Sequence, residues 1–249
     1  MNDLYDLALL NMENTVHSLA SRVQKPVRVT FKDGFNYRYA EKTIHQALVQ
    51  KLARLLSSLN AARLLMEQGF HQEQASLQRI LDEIQEDITF LSFSIIFNNS
   101  TDTHQKYLDA FWKEELGVEM NLENTKKSII PRKKIHAYIA SMEGADMNPS
   151  RRVELSRIIS KTYSGYIHAA SPYIMDMYCG SPPYFHVKGM LDTEFHIDHR
   201  EDLWNYIFRS LAAFSFAAKA FGDEELFDKI NKFQYDFMHN SGKNYNPED

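Results

Sequence analysis

Ten histidines in 249 residues make metal binding and acid–base catalysis the first chemistries to weigh. The densest group is His186, Asp192, His196, Asp198 and His199. On a β-strand His196 and Asp198 share a face, and hairpin pairing brings His186 towards them. Imidazole and carboxylate ligands so placed could hold zinc or another divalent ion. The competing reading is polar residues on a surface hairpin followed by a helix cap, and the spacing matches no established zinc motif. A di-iron bundle needs Glu three residues ahead of a histidine, and none of the ten has it; Asp236 before His239 comes nearest. No metal and no other cofactor is expected.

A nucleophile needs a thiol or hydroxyl beside an activating base. The single cysteine, Cys179, has no catalytic signature around it, and the chain carries no nucleophile elbow, phosphate-binding glycine loop or dinucleotide fingerprint. The most unusual text is RIISKTYSGYIHAAS, residues 157–171, which gathers Tyr163, Tyr166 and His168 with several serines where a helix is about to end. Together with Arg79, Glu83 and Glu86 these groups could form a buried polar network. Equally, tyrosines and a histidine at a helix end serve as packing residues with hydrogen-bonded tips.

The elements that must position these residues follow from periodicity. Ile44, Leu48, Leu52, Leu55, Leu59, Ala62 and Met66 recur at steps of four and three, as do Leu77, Ile80, Ile84, Ile88, Leu91 and Ile95. That spacing gathers apolar side chains on one helical face. Gly69 separates the two runs, and so short a link makes the helices antiparallel neighbours. The fold class is all-α, a helical bundle around this central pair with one or two small β-hairpins.

One domain of residues 1–249 accommodates the pattern. Residues 1–41 hold an N-terminal helix and a hairpin in which Val27, Val29 and Phe31 alternate, turn at Asp33-Gly34, and alternate again through Tyr37 and Tyr39. Residues 42–170 form the core bundle. It includes a helix from Asp102 through Leu116 and another from Pro131 to Met142, whose basic start (Arg132, Lys133, Lys134) reads as solvated surface. Residues 171–249 supply a second hairpin, Tyr184–Val187 with Glu194–Ile197 about Lys188-Gly189, then a helix capped by Asp198 and Glu201 and a last helix after Asp223.

Net charge −5 gives no general attraction for nucleic acid or anionic lipid. Asp3, Asp6 and Glu13 stand where a secretory signal needs a basic start and an unbroken apolar run. The longest apolar windows fall well short of the roughly 20 residues of a membrane-spanning helix. A cytoplasmic protein without membrane contact is expected.

The run RLLMEQGFHQEQASLQRILDE (63–83), followed later by YSGYIHAAS (163–171), resembles a group of uncharacterised bacterial helical proteins similar to the HEPN superfamily of abortive-infection and toxin proteins. The likeness spans about residues 45–170. It implies a bacterial stress or phage-defence setting and a homodimer. HEPN ribonucleases cut RNA without metal through an Arg-x(4–6)-His motif from both subunits, and the match here is Arg38 to His45. Twelve arginines and ten histidines produce such a spacing about once by chance. Two functions therefore stand side by side: an oligomeric or partner-binding module marked by an exposed aromatic patch, and an endoribonuclease using Arg38 and His45, or Tyr163 and His168, for acid–base work.

Overall fold

The computed structural model describes residues 1–31, 33–113, 130–142 and 163–243. These are mostly helical, with two small antiparallel hairpins. The central pair is helices α2 (Ile44–Glu67) and α3 (His71–Ile96). Thr43 starts α2: its hydroxyl accepts from the Gln46 N–H at 3.2 Å, while Gln46 Oε1 accepts from the Thr43 N–H at 3.0 Å. A reciprocal cap of this kind satisfies two donors that the first turn leaves open. At the far end Gly69 adopts φ +73°, a left-handed conformation that frees the chain to reverse.

Helix α7 (Glu194–Ala220) packs on α3, and also on α2, and runs parallel to α3. Gln74 Nε2 donates to the His199 carbonyl, the Tyr206 hydroxyl to Asp82, and Gln85 Nε2 to Ser210 Oγ, each pair 124 or 125 residues apart. The constant offset means that α3 and α7 begin at the same end of the bundle. Helix α8 (Glu224–Asn240) returns antiparallel along α7, its start capped by Asp223, and seats Phe237 against Trp204 with ring centroids 5.8 Å apart. Helix α1 (Asn2–Ala20) closes over α2 and α8, placing Tyr5 on Phe237.

Leu48, Leu52, Leu55, Ile88, Leu91 and Phe214 are sealed from solvent in one apolar cluster between these helices. Phe90 and Phe93 on the outer flank of α3 are covered as their size demands. Helix α4 (Asp102–Trp112) stacks His104 on Phe90 at 3.8 Å, helix α5 (Arg132–Met142) brings Tyr138 edge-on at 5.2 Å, and Phe216 of α7 covers Phe93. Phe97, beyond the helix end, stays half exposed.

The first hairpin pairs β1 (Val27–Phe31) with β2 (Gly34–Arg38), and Gly34 opens β2 opposite Phe31. The second differs from expectation. After a short helix α6 (Ser171–Met175), β3 (Tyr178–Cys179) pairs with β4 (Tyr184–Phe185), and the turn is made by Gly180, Ser181, Pro182 and Pro183. Glu194–Ile197 is not a strand. Thr193 caps α7 there, accepting from the His196 N–H, so Asp198 sits inside the helix instead of capping it. Leu116, the expected end of the Asp102 helix, lies outside the described residues, as does the start of the run 157–171, of which 163–167 are helical.

Candidate functional site

The shared starting end of α3 and α7 gathers three histidines. His71 is the first residue of α3, while His196 and His199 lie three apart on α7 and so on one face of it. His71 Nε2 and His196 Nδ1 are 3.2 Å apart, a hydrogen bond that requires one ring to donate and the other to accept. The His199 ring stacks on His71 with centroids at 4.9 Å and planes 14° apart. His71 and His199 are buried; His196 is half exposed.

Burial and neighbouring positive charge disfavour protonation of His71 and His196. Burial pushes the His71 imidazole down to about 4, and His199 and His196 beside it add to the shift, partly offset by Gln74 and the Met190 backbone. His196 is also lowered, by burial and then by Arg200, against the pull of Asp192. Both helices also point their positive ends at the cluster, which disfavours any further cation there. At neutral pH His71 and His196 are therefore uncharged donors and acceptors.

The cluster fastens a segment of chain. Met190 N–H donates to the Gly69 carbonyl at 2.8 Å, tying the corner between α2 and α3 to the loop ahead of α7. The approach is so close that a Cβ on Gly189, at φ +104°, would stand 2.2 Å from the Gln68 carbonyl oxygen. Gln72 Nε2 donates to the Tyr173 carbonyl at 2.7 Å. Tyr166 packs on Tyr173 at 4.6 Å and hydrogen-bonds Asp176, whose carboxyl burial raises despite the nearby His199. Asp202 Oδ2 lies 3.4 Å from His199 Nδ1. The chain from Tyr166 to His199 is thus pinned to the head of α3 by neutral hydrogen bonds and stacked rings.

Metal ligation does not follow from this geometry. Stacked imidazoles aim their lone pairs in parallel planes, and ligands must converge on one point. Among the described residues no group of three or more His, Cys, Asp or Glu side chains is arranged to hold an ion. Of the sequence candidates, His196 and His199 come together, but His186 remains in the second hairpin, where its Nε2 meets the Cys179 carbonyl at 3.1 Å. Asp198 is exposed on α7.

Further along α3 the polar groups are charged and paired. Asp82 accepts from the Tyr206 hydroxyl at 3.0 Å and pairs with Arg209 at 2.9 Å; burial nevertheless raises its carboxyl. Tyr163 reaches this group through Tyr206, and burial raises its hydroxyl. One turn on, Arg132 of α5 spans Glu86 and Asp87, His136 Nε2 approaches Glu86 at 2.9 Å, and Lys51 of α2 meets Asp87 at 2.6 Å. Burial pushes the Glu86 carboxyl up, but His136 and Arg132 outweigh it and hold it below the usual range. The expected single network is divided: Tyr163 meets Tyr206, Arg79 pairs with Glu83 along α3, His168 is exposed, and Glu86 pairs with Arg132, which is a half-buried ion-pair partner and not part of a solvated helix start.

The remaining candidates do not assemble. His45 turns to the end of α7, 3.3 Å from the Ala220 carbonyl and edge-on to Phe221 at 4.7 Å. Arg38 lies instead on β2, its guanidinium donating to the Tyr37 carbonyl. His168 is exposed at the helix end while Tyr163 faces inward, so the two diverge. His71, Asp176 and Asp202 are site residues that sequence reasoning missed. Only the Gly-Phe-His start of α3 hinted at the first. Comparison with protein-family models, with curated proteins and with solved structures finds no match for the chain.

The outer side of the pinned segment is apolar. Of the 21 exposed large apolar side chains among the described residues, ten fall within the 31 positions from Ile167 to Ile197. Tyr178, Tyr184, Phe185, Val187, Phe195 and Ile197 are among them, with Val187 68% exposed. About a seventh of the described residues thus carries nearly half of these side chains. Among the described residues no helix is long and apolar enough to cross a membrane.

Proposed function

We propose that the protein is a docking module, and that the segment 167–197 is its docking face for a second copy of the chain. The observation that carries this is the concentration of exposed aromatic and aliphatic side chains on a segment whose inner side is fastened at several points to the bundle. Exposed apolar surface costs solubility, and a clustered patch of it marks an interaction site. Pinning the segment beforehand removes most of the ordering cost that a loose loop would incur on binding.

A symmetric dimer needs a self-complementary patch. Lys188, Asp192, Glu194, Asp198 and Arg200 border the apolar residues with both signs of charge, so a second copy can set a cation of one face against a carboxylate of the other. The resemblance to HEPN proteins adds the same expectation of a dimer and the setting of bacterial stress or phage defence. Sedimentation at micromolar concentration tests the reading. The wild-type chain should run near twice its 29.0 kDa, and Tyr184→Ser with Phe185→Ser should run as a folded monomer. A wild-type monomer, or a dimer untouched by both substitutions, would sink it.

A further inference from the structure

The first hairpin, the start of α2 and the end of α4 line a half-open cavity of about 310 Å³. That volume lies in the range of small-molecule sites, roughly 300–1,000 Å³. Its walls combine two chemistries. Tyr37, Tyr39 and Trp112 supply flat π faces, Tyr39 meeting Trp112 edge-on at 6.4 Å. Arg38, Lys42 and Lys113 supply positive charge, and among the described residues no carboxylate lines the cavity. A chain of net charge −5 has thus placed three cations around one aromatic cleft.

A further observation points to a ligand. Lys42 adopts φ +55°, a left-handed conformation rare for a residue with a side chain. Strained backbone persists where the surroundings over-determine it, and such places cluster at ligand sites. Lys42 and Lys113 make no ion pair among the described residues. An adjoining cavity of about 450 Å³ shares Lys42, Trp112 and Lys113; its one carboxylate, Asp109, accepts from Gln105 Nε2 at 2.7 Å.

We infer that this cleft binds a small planar aromatic anion, its ring against Tyr39 and Trp112 and its acidic group among Arg38, Lys42 and Lys113. A cation next to a π face can grip both parts of such a molecule at once. Neither a bare anion nor a neutral ring satisfies both walls. The shared chemistry, a flat ring bearing an acidic group, comes from two sources, an aromatic carboxylate or a nucleoside monophosphate.

Calorimetric titration of the full chain with naphthoate, adenosine monophosphate, inorganic phosphate and benzyl alcohol tests the inference. Saturable one-to-one binding is expected for at least one of the first two and for neither of the last two. Whichever of the first two binds identifies the source. Arg38→Ala and Lys42→Ala should each weaken that binding about tenfold, the usual worth of a charge-assisted contact. His45→Ala, whose ring faces Ala220 and Phe221, should leave it unchanged. Circular dichroism confirms folding of each variant, since Arg38 and Lys42 reach solvent. No binding of either aromatic anion, equal binding of inorganic phosphate, or affinity untouched in both charge variants would overturn it.

Discussion

The head of α3 and its middle use polar residues in opposite ways. At the head, His71, Gln72 and Gln74 are uncharged, and they hold the chain around residues 166–199. In the middle, Asp82, Glu86 and Asp87 are carboxylates, each matched by a cation from another helix. The difference is one of what is being joined. Charges buried between helices need strong partners and fix their register, because a lone buried charge is too costly to keep. Neutral hydrogen bonds suit a segment that rests on the bundle's surface and shows its other side to solvent.

The comparison breaks first in the middle. Asp87→Ala leaves Arg132 and Lys51 facing each other without their shared carboxylate, and should cost about 3–5 kcal/mol in urea unfolding. Leu55→Ala, an apolar change in the same core, should cost about 2–5 kcal/mol. A loss under about 1 kcal/mol for Asp87→Ala would mean that the ionic ladder is not structural.

Acid separates the two regions more finely. His71 takes up a proton less readily folded than unfolded, so its contribution is complete above about pH 6.5 and is lost as pH falls towards about 4. A shift of that size corresponds to roughly 3 kcal/mol. Unfolding free energy should fall over that window in the wild type, and the slope should flatten in His71→Gln. Parallel slopes in both proteins would remove the proton-sensitive role assigned to the head.

The smallest effects belong to the surface. His168→Ala should change stability by no more than about 0.5 kcal/mol, as exposed substitutions do. Because Arg38 and His45 turn to different neighbours, purified protein should not degrade labelled single-stranded RNA above background. Cleavage abolished by both Arg38→Ala and His45→Ala would show instead that the two act together.

Much of the middle was legible in the sequence, because burial of Leu48 through Met66 and Ile84 through Leu91 enforces the three-and-four repeat. The head was not. Phe195 and Ile197 alternate with polar residues as a strand would, yet they lie on the first turns of α7 with Ile197 62% exposed. Periodicity reports burial, and apolar residues left at the surface carry a misleading period. His71 escaped notice for another reason. Its partners are 125 and 128 positions away, and only the parallel packing of α3 on α7 brings them together. Arg132 was misjudged because a basic run looks solvated until the acidic face opposite it is known.

Amide hydrogen exchange, compared between dilute and concentrated wild-type protein, decides whether the fastened segment is a docking face. Protection that rises with concentration across residues 174–187, with the middle of α3 equally protected in both samples, is the predicted result. Concentration-dependent protection located elsewhere, or a doubled mass without any change in 174–187, would contradict it.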